Sequence, residues 1–161
     1  MSASLLPQPG LGTLLRHLTE LLDGEVEAVY LEAEIDCRSR FTPIIRHIEA
    51  NGPGSLRQIA DATGLTHSAI SQTVGEMRKR DLVALTPGRD GRERIVAFTP
   101  KAEALLPRLH AIWQSIWAAA DDLSAEIGTP LHQVLGDAIA AAERRSFGDR
   151  IRARHRTGAI K

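Results

Sequence analysis

The chain has 161 residues, enough for one domain or for one domain with arms for self-association. Aromatic residues make up only 4%, so a core must be built from Leu, Ile, Val and Ala; no apolar run is long enough to span a bilayer and no leader is recognisable, which points to the cytoplasm. The single cysteine excludes an internal disulfide, and the net charge of zero hides a segregation: −4 over residues 1–50, +2 over 51–98, −3 over 99–142 and +5 over 143–161.

Residues 1–10 contain Pro7, Pro9 and Gly10 and read as a loose arm. Leu14, Leu15, Leu18, Leu21 and Leu22 recur at helical spacing over residues 11–22. Asp23-Gly24 is expected to interrupt that helix, and a second, acidic amphipathic helix runs from Glu25 to about Asp36. Thr42-Pro43 starts the next helix, which stops at Asn51-Gly52-Pro53-Gly54. Ser55 with Gln58 three residues on is a capping box. Leu56, Ile59, Ala60 and Ala62 supply an apolar stripe, Gly64 ends the helix, and Leu65 is expected to pack inward. Thr66 caps a further helix from about His67 to Arg80. Ala69, Ile70, Thr73, Val74 and Met77 fall on one of its faces; His67, Ser68, Ser71, Gln72, Gly75 and Lys79 fall on the other. A hairpin follows, with strands at Leu82–Leu85 and Arg94–Phe98 and a turn marked by Pro87, Gly88 and Gly91. Thr99-Pro100 starts a long helix to about Leu123 or Ile127, with Pro107 inside it, and Gly128 closes it. Thr129-Pro130 starts a last helix to about Arg145, and the Arg-rich final dozen residues, without apolar periodicity, are expected to be mobile.

The polar face of the His67–Arg80 helix is the informative part. An ordinary surface helix exposes long charged side chains, whereas this one exposes short hydrogen-bonding ones, an amide and a glycine. Short side chains let a helix lie against base edges, and Gln can pair in bidentate fashion with adenine. His67, Ser68, Ser71 and Gln72 are therefore candidate base readers, and Gly75 would permit close approach to a phosphate. Arg57, Arg78 and Lys79 are candidate phosphate contacts. Arg89, Arg92 and Arg94 cluster at or near the hairpin tip, where arginine suits a narrow minor groove, and Asp90 can brace Arg92. Each feature alone also reads as a solvated surface. The succession of capped helix, glycine turn, polar-faced helix and basic hairpin favours a DNA-reading device.

The stretch THSAISQTVGEMRKRDL, with the D-x-R of Asp90 and Arg92 and the strand RIVAFT, resembles the MarR family of bacterial winged helix-turn-helix transcription regulators over about residues 40–110. Two positions depart from the family pattern. Asp81 stands where the family has glycine, and Gly91 takes the first of two usual arginines, leaving the groove-inserting role to Arg92. The resemblance implies a mainly α fold with a small β-hairpin wing and with N- and C-terminal dimerisation helices. Residues 1–40 would then be arm and dimerisation helices, 41–99 the DNA-binding domain, 100–146 the C-terminal dimerisation helices and 147–161 a basic mobile tail. It further implies a repressor that binds double-stranded DNA as a homodimer on a pseudo-palindromic operator. The apolar stripes at 11–22 and 118–142 call for a partner surface on their own account, since so small a head cannot cover them.

Other residues carry alternatives. The six histidines show no i, i+4 metal pair, and neither metal nor cofactor is expected. Cys37, beside Arg38 and Arg40, is either structural or a redox sensor whose thiolate the arginines favour. Trp113 and Trp117 pack in a core or an interface; with Tyr30 and Phe41 they could line the small-molecule crevice that the resemblance implies. No nucleophile, base and orienting acid come together in sequence, so an enzyme is not expected. The rival of another class is a winged-helix module that binds protein, for which an exposed apolar patch on the polar helix face would be the sign.

Overall fold

The structure, a computed structural model, describes residues 9–88 and 93–156. The chain divides into two compact units, Met1–Ile112 and Trp113–Lys161, with the boundary inside one long helix. The elements are α1 (Leu11–Glu32), a 3-10 turn (Ser39–Phe41), α2 (Thr42–Asn51), β1 (Gly54–Ser55), α3 (Leu56–Thr63), α4 (His67–Lys79), β2 (Val83–Pro87), β3 (Arg94–Phe98), α5 (Pro100–Glu126), α6 (Leu131–Arg144) and α7 (Phe147–Arg156). Among the described residues no helix is long and apolar enough to cross a membrane. The fold is thus mainly α with a small β wing, as the sequence predicts.

In the first unit, α1 is one helix where two were expected. Gly24 does not interrupt it: an internal glycine costs only about 1 kcal/mol relative to alanine, and good helix formers flank it. Nor does the helix reach Asp36. It stops in a Schellman motif: Glu34 takes the left-handed conformation (φ 54°), the Glu34 N–H donates to the Leu31 carbonyl at 3.0 Å, and the Ile35 N–H donates to the Tyr30 carbonyl at 2.8 Å. The same motif closes α4, with Asp81 left-handed (φ 57°) and the Leu82 N–H donating to the Met77 carbonyl at 2.9 Å. Asp81 stands where a glycine would be easiest to accommodate.

Helix α3 starts as predicted. Ser55 Oγ accepts from the Gln58 N–H at 3.2 Å and Gln58 Oε1 accepts from the Ser55 N–H at 2.8 Å. Gly64 (φ 69°) supplies the left-handed residue that turns the chain toward α4. Leu65 does not pack inward but is 43% exposed; Ile59 and Ile70, both fully buried, fill the interior of the α3–α4 pair without it. The core around them includes Tyr30, Phe41, Ile44, Val74, Met77 and Val96.

The wing contains a strand that the sequence does not announce. β1 pairs antiparallel with β3, Gly54 opposite Val96 and Ser55 opposite Ile95, so the order is β1-β3-β2. Gly88 closes the described end of the hairpin with its N–H on the Glu93 carbonyl at 2.8 Å. A Cβ at Gly88 would come within 2.9 Å of the Glu93 Cβ, so the turn needs glycine there.

In the second unit, α5 ends through Gly128 (φ 64°), and Ser124 Oγ accepts from the Leu131 N–H at 3.3 Å, fixing the start of α6. Trp117 stacks on His132 with ring centroids 4.4 Å apart. Residues 147–156, expected to be a mobile tail, form α7. Its start is a cap rather than an apolar stripe: Ser146 Oγ accepts from the Asp149 N–H at 3.1 Å and donates to Asp149 Oδ2 at 2.8 Å. The bond from Arg152, then that from Ser146, holds the Asp149 carboxyl below its ordinary value. Arg150 ties α7 to α6, its Nη2 donating to the Ala141 carbonyl at 2.8 Å.

Candidate nucleic-acid interface

Helix α4 is built to hold one face and offer the other. Thr66 Oγ1 accepts from the Ala69 N–H at 3.2 Å and so fixes the first turn. Ile70, Val74 and Met77 are buried, while Ala69 and Thr73 are half-buried. His67, Ser68, Ser71 and Gln72 are all exposed, and among the described residues their side chains have no hydrogen-bond partner. Gly75 continues that face, and a Cβ there would meet no atom within 4 Å. Arg78 and Lys79 are exposed at the end of the same helix, and Arg57 is exposed on α3 with only a long 3.9 Å ion pair to Asp61. Arg94 is exposed at the start of β3. Arg89, Asp90 and Arg92 lie outside the described residues.

Arg80 is the residue that sequence reasoning missed. It follows two exposed cations but points the other way. Its Nε donates to Asp36 Oδ1 at 3.0 Å, its guanidinium lies 5.5 Å from the Phe41 ring centroid, and its carbonyl accepts from Lys101 Nζ at 2.7 Å. Glu76, one turn earlier, is bonded by Arg40. Two ion pairs thus join α4 to the segment between α1 and α2. The signal was present in sequence: Arg80 stands three residues after Met77 and seven after Thr73, on the inner side of the helix.

Cys37 is buried, and burial pushes its thiol up to about 11. The expectation that neighbouring arginines favour a thiolate is therefore not met. Arg38 is taken by Glu27 at 2.9 Å and Arg40 by Glu76, and the Arg80 charge only partly offsets burial. Tyr30 and Phe41 are core residues of the first unit. Trp113 is buried and Trp117 exposed, both in the second unit. A cavity of about 240 Å³ is lined by Glu27, Leu31, Ile35 and Cys37, among others, and by none of those four aromatic residues.

A capped two-helix unit with a polar-faced second helix, followed by a β hairpin tied into a three-stranded sheet, is a winged helix-turn-helix. Residues 42–93 match the model of the MarR family, so this stretch is similar to that family. No curated protein matches the chain in sequence. Among solved structures, a probable transcriptional regulator from Pseudomonas aeruginosa is 20% identical, with 82% of this chain and 96% of that one covered and a TM-score of 0.61. The M. tuberculosis regulator MOSR, solved in complex with DNA, is 16% identical over 86% of this chain and 100% of its own, with a TM-score of 0.70. BpsR of Bordetella bronchiseptica, whose DNA binding is regulated by 6-hydroxynicotinic acid, is 15% identical over 89% and 99%, with a TM-score of 0.64.

Proposed function

We propose that this chain is a sequence-specific DNA-binding repressor that acts as a homodimer on a pseudo-palindromic operator. The observation that carries the reading is the α4 surface: exposed, short, polar and unpartnered on one side, packed through Ile70, Val74 and Met77 on the other. In this reading His67, Ser68, Ser71 and Gln72 contact bases, while Arg57, Arg78 and Lys79 neutralise phosphates. Arg92, with Asp90, Arg89 and Arg94, serves the minor groove. The homodimer is supported by the leucines that α1 exposes and by Val134 and Ile139 exposed on α6, which a single chain leaves in water. A small aromatic effector belongs to the same reading, supported by the hydroxynicotinic acid that acts on the Bordetella regulator; quenching of tryptophan fluorescence by such acids tests it. The rival protein-binding module is disfavoured by the polarity of the α4 face.

Selection from a random pool of duplex DNA at moderate salt tests the function. Enrichment of a pseudo-palindrome with half-sites about one helical turn apart is expected. Gln72→Ala should lose about 1–3 kcal/mol of discrimination at one base position, and Arg94→Ala should weaken all sequences evenly. No enrichment, with no salt-dependent binding, would overturn the reading.

A further inference from the structure

Large apolar side chains are kept from water almost everywhere in the winged-helix part of this chain. Among the described residues between 42 and 98, the one that stands exposed is Leu65, at 43%. It lies in the turn between α3 and α4, directly before the Thr66 cap. Leu65 and Ile70 hold the two positions of a hydrophobic staple around that cap. Ile70 and Ile59 are nevertheless fully buried, so the staple leaves much of Leu65 uncovered.

The turn holds Leu65 in place. Gly64 before it is left-handed (φ 69°), and Thr66 after it is extended, with its Oγ1 accepting from the Ala69 N–H. The side chain is thus carried by a fixed backbone, and little ordering remains to be done on contact. Its neighbours decide what it can meet. Thr66, His67 and Ser68 follow it, all polar and all exposed. A protein-docking surface would need a contiguous apolar area, and a single leucine among polar groups does not make one. The first turn of a recognition helix is the part that meets base edges. Among the groups those edges present in the major groove, the apolar one is the C5-methyl of thymine.

We infer that Leu65 reads a thymine by packing on its C5-methyl group, beside the bases that His67 and Ser68 meet. The inference rests on the DNA-binding reading above and adds an apolar contact to its hydrogen-bonding ones. Gln72 lies more than a turn further along α4, so the thymine occupies a different position from the base that Gln72 reads.

Replacing thymines of the selected operator one at a time by deoxyuridine, which lacks only that methyl group, tests the contact. For the wild type, one thymine in each half-site should matter, its replacement weakening binding about fourfold. Leu65→Ala should bind the thymine and deoxyuridine operators equally, while Leu65→Met, of similar volume, should keep the difference. The ratio of the two affinities is taken within one protein, so it does not depend on how much of a variant folds. Gln72→Ala should keep the wild-type ratio at this thymine. A wild type indifferent to every replacement, or a Leu65→Ala variant that keeps the wild-type ratio, would overturn the thymine contact, leave Leu65 as a staple and leave the DNA reading standing. A wild type that selects no operator would end both.

Discussion

At Gly75, the proposed DNA reading sets stability against recognition. A glycine inside a helix costs about 0.5–1 kcal/mol relative to alanine, and nothing in the chain occupies the space a methyl group would take. Gly75→Ala should therefore raise the unfolding midpoint while lowering DNA affinity, since the methyl would stand between α4 and the duplex. Higher stability with unchanged affinity would mean that this face does not lie against DNA. Cys37 gives a second test. With its thiol near 11 rather than 9.0, about a hundredfold less thiolate is present at neutral pH. Alkylation of the native protein should be at least that much slower than after unfolding. Because folding raises this pKa, the stability tied to it is present below the ordinary thiol value and is lost as pH rises through the folded one. Alkylation at the rate of a free thiol would restore the redox-sensing reading.

At the scale of elements, α4 is seated through Arg80. The side chain meets Asp36 and the Phe41 ring while its carbonyl holds Lys101, so one residue joins three segments. Asp36 is largely solvated, which discounts the ion pair; Arg80→Ala should cost about 1 kcal/mol in denaturant unfolding. If α4 reads DNA as proposed, affinity should fall with sequence preference intact, because the Arg80 side chain seats α4 against Asp36 and Phe41; a changed preference would make it a reader. How far each element was legible follows from its cause. The α3–α4 pair was readable because a capping box and Gly64 mark its ends in residue types. The end of α1 was not, because Glu34 fills a left-handed position without the usual glycine; α4 ends at Lys79, within a residue of the expected Arg80, although Asp81 lacks that glycine too. β1 was hidden because Ser55 announces a helix cap and not a strand. α7 was hidden because its order comes from Ser146 and Asp149 rather than from apolar periodicity. The four base-reader candidates were placed on one exposed face, as their spacing predicts, whereas the inward turn of Arg80 was masked by the run of three cations.

In the whole molecule, the two units differ in how much they bury. The first unit holds most of the buried core, whereas no residue of α6 or α7 is buried and their apolar side chains face water. Sequence periodicity already marks such stripes as needing a cover. Ser55 has a consequence of its own. Its backbone pairs across from Ile95 of the wing while its side chain begins α3. The wing and the helix pair therefore share a peg, with no slack chain between them. Under the proposed function the joint would act as a fixed gauge: the spacing between wing and helix pair would be set when the chain folds, before any duplex is met.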